Sequence, residues 1–243
     1  MNHIAHAEID RTPPKHDAAW TIGIAARPSQ DAPVAGAREA HFAARETLCE
    51  EGARADHIVI IAQGAVMLSK LLPDGRRQII ELLGAGDVFG LSNTALYDTT
   101  AESLTPVRAF QYERRVYEHS PELQRAVSQK MTSQLCAMHD HAMLLGRKTA
   151  AERVASFLMG LIPNRGGHGC NGPDAKGSDA KADTRHVTIP MTRQEIADYL
   201  GLTLETVSRA FSQLKKDGIL QAPRHDEIVV TNVCRLCHLT GTL

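Results

Sequence analysis

Apolar and polar positions give the first 118 residues two different textures. Residues 1–40 are rich in Ala, Pro and His and show no sustained period, so we expect a flexible tail that contains the only tryptophan, Trp20. Residues 41–118 alternate short apolar runs with glycine and include the turn Pro73-Asp74-Gly75, in which Pro presets φ and Gly accepts a positive φ. Turn signals at intervals of about ten residues are typical of a β-sandwich or barrel and predict a β-roll.

Residues 119–146 follow a helical period instead. Ser120 is a candidate N-cap, and Pro121 suits the first helical position. The apolar positions that form a seam, at spacings of 4, 4, 3, 4 and 3, are Val127, Met131, Leu135, Met138, Ala142 and Leu145. This near-heptad spacing predicts a helix that pairs in parallel with a second copy of the chain. The alternative is a helix that packs only on its own domain.

Residues 147–243 form the last predicted unit. A second amphipathic helix passes through Ala155, Leu158 and Leu161, and a flexible polar loop is expected at 163–185.

Residues 192–214 have the spacing of a helix-turn-helix. With Arg193 counted as position 1, the small Ala197 falls at position 5, Gly201 lies in the turn at position 9, and Val207 lies between the helices at position 15. Thr203 is the candidate N-cap of the second helix. An ordinary αα-hairpin is the alternative. The agreement of the inward positions and the turn favours the DNA-binding motif.

The outward side of the second helix carries groups that suit base edges. Arg209 can donate two hydrogen bonds to guanine, Glu205 can accept one from cytosine N4, and Ser208 can reach a base edge or a thymine methyl. Glu205 and Arg209 are spaced i,i+4, which would orient the arginine. Expected contacts to the DNA backbone come from Thr192, Arg193, Gln194, Thr203, Thr206, Ser212, Lys215 and Lys216.

A β-hairpin wing with a basic tip is predicted after the second helix, around 219–231. Residues 147–243 hold 13 Lys and Arg against 10 Asp and Glu, whereas residues 1–146 hold 14 against 18. The net charge of −1 therefore conceals +3 and −4 in the two parts. The asymmetry is modest and has the sign that DNA binding needs.

Composition narrows the class of protein. No apolar run approaches the roughly 18 residues of a membrane span, and the first residues lack the apolar stretch of a signal peptide. The five cysteines are odd in number and scattered, which argues against a secreted disulfide framework. We expect a cytoplasmic protein without membrane contact. No nucleophile–base set or phosphate loop is visible, so catalysis is not expected.

A glycine-punctuated β-roll, a long helix and a winged helix-turn-helix, in this order over about residues 41–233, resemble the CRP/FNR superfamily of bacterial transcription regulators. The most specific stretches are 187–190 and 191–220, and residues 71–79 and 86–90 look most like the FixK branch. The resemblance implies an α+β fold with an N-terminal cyclic-nucleotide-binding-like jelly roll. It also implies a homodimeric activator that binds double-stranded DNA and RNA polymerase.

The resemblance extends to the base-reading residues Glu205, Ser208 and Arg209, which are similar to those of the FNR and FixK groups. It implies a palindrome like TTGAT-N4-ATCAA. It further implies control of genes for microaerobic respiration, denitrification or nitrogen fixation.

A cyclic-nucleotide site in this superfamily has Gly-Glu after the Gly-Asp turn and Arg-Ser at the cyclic phosphate. Here Gly90 precedes Leu91, and the Arg-Ser position reads Thr100-Ala101. Without that cation for the phosphate, we do not expect cyclic AMP to bind.

An iron–sulfur sensor of the FNR type needs four thiolates. No cysteine precedes Cys49, and the family's ligand position in the roll is Ala109. We therefore expect no cofactor, as in the FixK group, which relays a signal from an oxygen-responsive kinase system. Cys136 beside the seam is a candidate for an intersubunit disulfide under oxidation, with a reduced, packed thiol as the alternative.

Three alternatives remain. One is a ligand-gated sensor that binds haem, nitric oxide or another small molecule in the roll. A second is a metal-dependent sensor built on Cys234, Cys237 and His238, with His139 or His141 completing the ligand set; the bland explanation is an incidental i,i+3 pair. The third is a cyclic-nucleotide-binding interaction module that never touches DNA, which the helix-turn-helix pattern disfavours.

Overall fold

The computed structural model describes residues 33–162, 185–224 and 226–241. Trp20 and all but the last residue of the predicted loop at 163–185 lie outside these residues. The chain has the predicted α+β composition, with a β-roll first, a long helix in the middle and a mixed helical and stranded unit at the end.

The β-roll consists of two four-stranded antiparallel sheets with strand orders β1-β8-β3-β6 and β2-β7-β4-β5. The strands are β1 (Arg38–Phe42), β2 (Thr47–Cys49), β3 (His57–Gln63), β4 (Val66–Leu71), β5 (Arg77–Leu83), β6 (Val88–Phe89), β7 (Thr100–Ser103) and β8 (Val107–Glu113). Gly75 has φ 83° in the turn between β4 and β5, as the Pro-Asp-Gly sequence predicts. Strand β1 begins inside the span expected to be tail, because Arg38 already pairs with Gln111 of β8.

Apolar residues from both sheets fill the interior of the roll, which explains the alternating burial along β8. The buried cluster contains Val59, Ile61, Val66, Leu68, Leu83, Phe89, Ala101, Val107 and Ala109. A second cluster lies on the outer face of the first sheet, where helices cover it.

Three helices follow the roll: α1 (Arg114–His119), α2 (Pro121–Arg147) and α3 (Ala150–Leu161). The short α1 was not predicted, because the β-roll was expected to extend to residue 118. The predicted N-cap of α2 is confirmed, because Ser120 Oγ accepts a hydrogen bond from the Leu123 N–H at 3.3 Å. Thr149 and Glu152 form a capping box at the start of α3.

Helix α2 packs on the roll with one face and leaves its neighbouring face uncovered. Leu123, Val127 and Leu144 are 0%, 1% and 2% exposed. Val127 was expected in the intersubunit seam, but it packs into the outer cluster of the roll beside Ile58 and Tyr112. Four other residues of the expected seam are exposed on the face beside the buried one: Met131, Leu135, Met138 and Ala142. Leu145, the last expected seam residue, is half-buried against the C-terminal core.

The C-terminal unit contains β9 (Arg185–Thr188), α4 (Arg193–Leu200), α5 (Leu204–Lys216), β10 (Leu220–Gln221), β11 (Glu227–Val230) and α6 (Val233–His238). The predicted wing hairpin is present as β10 and β11, and β9 extends it to a sheet of order β10-β11-β9. Arg185, assigned to the loop in the sequence analysis, begins β9 and pairs with Val230.

The C-terminal unit docks on the β-roll through α4. Arg45 of the roll donates to the buried Glu195 at 2.5 Å, and Arg77 Nε donates to Asp198 Oδ2 at 3.0 Å. Met67 and Ile79 of the roll belong to the same buried apolar cluster as the helices α3, α4 and α5. The helix-turn-helix is thus held against the roll by two ion pairs and a shared apolar cluster.

A half-buried carboxyl, that of Glu81, lies between the roll and α2. Gln134 Nε2 donates to Glu81 Oε1 at 3.1 Å. Burial raises the pKa of Glu81 from 4.5 to about 7, the Gln134 hydrogen bond opposes the rise, and Asp87 adds to it. A carboxyl with a raised folded-state pKa favours folding at pH below its unfolded pKa. That contribution is lost as the pH rises through about 7.

We expect Glu81→Gln to stabilise the protein at pH 8 by about 1–3 kcal/mol and to have little effect at pH 5, because the amide keeps the bond to Gln134 without the charge. Thermal unfolding between pH 5 and pH 8 measures this, with Glu50→Gln as a control at an exposed carboxylate. Equal effects of the two substitutions on stability at pH 8 would contradict a raised pKa at Glu81.

Candidate nucleic-acid interface

Helices α4 and α5 meet across a tight turn at Gly201. This residue has φ 61° and ψ 40°, the left-handed conformation that favours glycine, and Leu202 N–H closes the turn on the Ala197 carbonyl at 3.0 Å. Ala197 and Val207 are both 0% exposed between the helices. The inward positions and the turn predicted for a helix-turn-helix are therefore confirmed.

The start of α5 presents a charged pair to solvent. Arg209 Nη2 donates to Glu205 Oε1, and the two side chains are 78% and 73% exposed. Ser208 is exposed beside them, and its carbonyl accepts from Ser212 Oγ at 2.9 Å. The three residues expected to read bases thus share one exposed face at the beginning of the helix.

Thr203 caps α5 as predicted, with its Oγ1 accepting from Thr206 N–H at 3.2 Å. The two threonine hydroxyls also lie 2.8 Å apart. Thr192 caps α4 in a capping box, because its Oγ1 accepts from Glu195 N–H at 3.2 Å while the Glu195 carboxylate accepts from Thr192 N–H at 2.7 Å.

The remaining expected backbone contacts differ in how available they are. Lys215 and Lys216 are exposed in the last turn of α5. Gln194 is exposed, and its Nε2 donates to Asp198 Oδ1 at 2.7 Å. Arg193 is half-buried: its guanidinium lies 3.5 Å from the centre of the Phe211 ring, and burial lowers its pKa. Its charge therefore contributes to packing α4 on α5.

Four residues that hold the interface in place were missed in the sequence analysis: Arg45, Arg77, His141 and Arg153. Their partners on α4 lie 47 to 150 residues away along the chain. No local pattern reports such pairings. The only usable signal was Thr192 followed by Glu195, a capping-box spacing that marks the start of α4.

The positions that would bind a cyclic nucleotide in related folds are used internally. Thr100 Oγ1 accepts from Glu51 N–H at 3.0 Å, and Ala101 is 0% exposed in the interior of the roll. Ala109, at the position compared above with the iron–sulfur ligand, is also 0% exposed there. A separate cavity of about 490 Å³ lies between the roll and α2, bordered by Tyr112 and Lys130.

The cysteine-based alternatives gain no support from the described part of the chain. No group of three or more His, Cys, Asp or Glu side chains there is arranged to hold a metal ion. Cys234 is exposed and Cys237 is half-buried on α6, and Cys136 is exposed on α2. Burial raises the pKa of the Cys49 thiol to about 11, so that thiol stays protonated.

Among the described helices, none combines the length and apolar character of a membrane span.

Two family models cover most of the described chain. A model for a Crp-like helix-turn-helix domain matches residues 152–239, and one for a cyclic nucleotide-binding domain matches residues 39–119. The fold and the exposed face of α5 therefore define a DNA-binding transcription regulator with a cyclic-nucleotide-binding-type N-terminal domain.

The chain belongs to the CRP/FNR family of transcription regulators. It is 36% identical over 191 residues to the nitrogen fixation regulation protein FixK of Bradyrhizobium diazoefficiens, covering 75% of this chain and 74% of that one. It is 34% identical to the transcriptional activatory protein AadR of Rhodopseudomonas palustris, covering 76% and 74%. The solved structure of FixK2 from Bradyrhizobium japonicum aligns with a TM-score of 0.68 at 36% identity, covering 85% of this chain and 98% of that one. These relatives are transcriptional regulators rather than enzymes.

We expect Gly201→Ala to destabilise the protein by about 1–2 kcal/mol, because the alanine Cβ disfavours the left-handed conformation. The nearest atoms to an added Cβ, on Arg153 and Leu145, are 3.6 Å away, so the cost is one of backbone strain rather than collision. Gly146→Ala is the matched control. It lies within α2, where an added Cβ would meet no atom within 4 Å beyond its chain neighbours and its own helix backbone, and should stabilise the protein by about 0.5–1 kcal/mol. Thermal unfolding distinguishes them, and two changes of the same sign would contradict this account.

Proposed function

We propose that this protein is a homodimeric, cytoplasmic activator of the FixK type that reads a palindrome similar to TTGAT-N4-ATCAA. The observation that carries the proposal is the exposed Glu205–Arg209 pair at the start of α5, held on a helix-turn-helix. The proposed targets are genes for microaerobic respiration, denitrification or nitrogen fixation, and the names of relatives such as the FixK nitrogen fixation regulators support the last of these. As an activator it would contact RNA polymerase.

Each base-reading residue has a chemical role in the proposal. The Arg209 guanidinium donates to guanine O6 and N7, and Glu205 accepts from cytosine N4 while it orients the arginine. Ser208 contacts a base edge or a thymine methyl. An exposed carboxylate facing DNA would be repelled by phosphates, so a base donor gives Glu205 a favourable partner in the groove.

The backbone contacts surround this face. Lys215 and Lys216 lie in the last turn of the proposed recognition helix α5, and Arg224 lies exposed at the tip of the wing. Thr192, Gln194 and Thr203 lie at the helix starts, where N–H groups and hydroxyls suit phosphate oxygens.

Dimerisation through α2 supplies the second recognition helix. Met131, Leu135 and Met138 are 37%, 50% and 44% exposed, and with Ala142 they follow the 4, 3, 4 spacing of a coiled-coil seam. Apolar side chains in such a row are stabilised when a second helix covers them. Pairing two copies in parallel gives a two-fold axis, which matches a palindromic site.

We expect Leu135→Asp to weaken dimerisation by about 2–4 kcal/mol, because it places a charge at the centre of the apolar row. Light scattering after size exclusion measures the mass across a dilution series. Met143→Asp is the matched control: Met143 is 62% exposed but lies outside the row, so its dimer should persist. If both variants dimerise as the wild type does, the interface lies elsewhere.

Two substitutions separate base reading from backbone attraction. Arg209→Ala should weaken specific binding by about 1–3 kcal/mol and relax the preference at one position of each half-site. Lys215→Ala should weaken all sequences alike and reduce the dependence of binding on salt by about one phosphate contact. Fluorescence anisotropy on labelled duplexes at several salt concentrations reports both, and unchanged palindrome binding by Arg209→Ala would remove that residue from the reading set.

Selection of bound sequences from random DNA, with and without air, tests the proposed function as a whole. An enriched palindrome supports the dimer and its target together. Recovery of no enriched sequence, or of an unpaired half-site only, would overturn the proposal. Enrichment that depends on air would place redox control in this chain rather than upstream of it.

A further inference from the structure

Helix α4 ends on carbonyl groups that its own backbone cannot satisfy, since the last carbonyls of an α-helix have no intrahelical donor. Two of them accept hydrogen bonds from other helices. Arg153 Nη1 of α3 donates to the Leu200 carbonyl at 3.0 Å, and His141 Nε2 of α2 lies 2.9 Å from the Tyr199 carbonyl. The C-terminal end of α4, the first helix of the helix-turn-helix, is therefore hydrogen-bonded to both α3 and α2.

The Arg153 guanidinium joins three parts of the chain at once. Besides Leu200, its Nη2 donates to the Leu145 carbonyl in the last turn of α2 at 2.7 Å, and its Nε donates to the Lys148 carbonyl in the linker before α3 at 3.0 Å. The guanidinium is planar and presents its donors in a fixed fork, so these three acceptors are held in one arrangement. A cation there also suits the negative ends of α2 and α4.

His141 of α2 makes a second contact with the end of α4, at Tyr199. Its ring stacks on that of Tyr199 with centroids 4.1 Å apart and planes within 14° of parallel. Its other ring nitrogen, Nδ1, lies 3.3 Å from the Ile80 carbonyl of the roll. His141 and Tyr199 are 6% and 4% exposed, so solvent does not compete effectively for these contacts.

We propose that Arg153 and His141 are positioning residues that set the distance and rotation between the two recognition helices of the dimer, and so the spacing of half-sites the protein accepts. The inference rests on the proposed function. Helix α2 carries the proposed dimer contact, α4 leads into α5 through Gly201, and the bonds of Arg153 and His141 connect α2 to the end of α4.

The geometry of DNA makes such positioning consequential. One added base pair between half-sites moves them apart by about 3.4 Å and rotates one against the other by roughly 35°. A loosely held helix-turn-helix can follow such a change, whereas one fixed by a three-point fork cannot. The second half-site contact is intramolecular, so its strength depends on how well the second helix is already placed.

The experiment uses full-length protein and duplexes that carry two half-sites separated by three, four or five base pairs, together with a duplex that carries one half-site. Arg153→Lys keeps the charge but replaces the fork with a single ammonium group. It should lower the affinity for the duplex with the four-base-pair spacer by about tenfold and lower the affinities for the other two spacers less. The affinity for the single half-site should stay within about twofold of the wild-type value. Selectivity for spacing therefore falls while selectivity for sequence stays.

Controls separate positioning from general damage. Arg125→Lys, at an exposed arginine on the N-terminal half of α2, should keep the wild-type order of spacers. His141→Ala, with Arg153 intact, should also reduce the preference for the four-base-pair spacer. Thermal unfolding and light scattering confirm that each variant is folded and dimeric.

Two outcomes would overturn the inference alone. One is an Arg153→Lys variant that loses equal affinity for every spacer and for the single half-site. The other is a folded variant that prefers the four-base-pair spacer over the other two by as large a factor as the wild type does. By contrast, a wild-type protein that prefers no spacer overturns the proposed palindromic function, and this inference with it.

Discussion

The rotation of helix α2 about its own axis is the constraint on which the rest of the structure depends. Leu123, Val127 and Leu144 must face the roll and the C-terminal core, where they are almost fully buried. Because successive residues on a helix are about 100° apart, burying these positions decides what every other face presents. The uncovered row at Met131, Leu135 and Met138 and the inward His141 both follow from this one choice.

Polar contacts make that rotation specific. Gln134 is 5% exposed and uses its amide as a strand would, accepting from Val88 N–H and donating to the Val88 carbonyl, each at 2.9 Å. Seven residues later on the same face, His141 meets carbonyls of the roll and of α4. An apolar face alone would tolerate small rotations and slides, whereas buried amide and imidazole groups cost free energy unless they meet their partners.

Local chemistry accounts for what the sequence predicted well. The strands of the roll, the caps at Ser120 and Thr203 and the turn at Gly201 depend on neighbours within a few residues, so their signals are written locally. Tertiary contacts account for the misses. The 4-4-3 spacing gave no means of telling that Val127 faces the roll, since both apolar rows of α2 share the same period. Arg193 was expected at a phosphate because its position suits one, but the ring of Phe211 on α5 covers part of its guanidinium.

Docking of α4 on the roll also determines what charge the DNA-facing side presents. The acidic side chains of α4, Glu195 and Asp198, lie 7% and 10% exposed against Arg45 and Arg77 of the roll. Their charge is neutralised within the protein, and water is largely kept from them. Of the acidic residues on α4 and α5, Glu205 is left at the exposed start of α5, where Arg209 accompanies it. A chain with a net charge of −1 can in this way offer DNA a pair of helices whose one exposed carboxylate is Glu205, the residue proposed to read a base. Limited general attraction to phosphate then favours sequence recognition over indiscriminate binding.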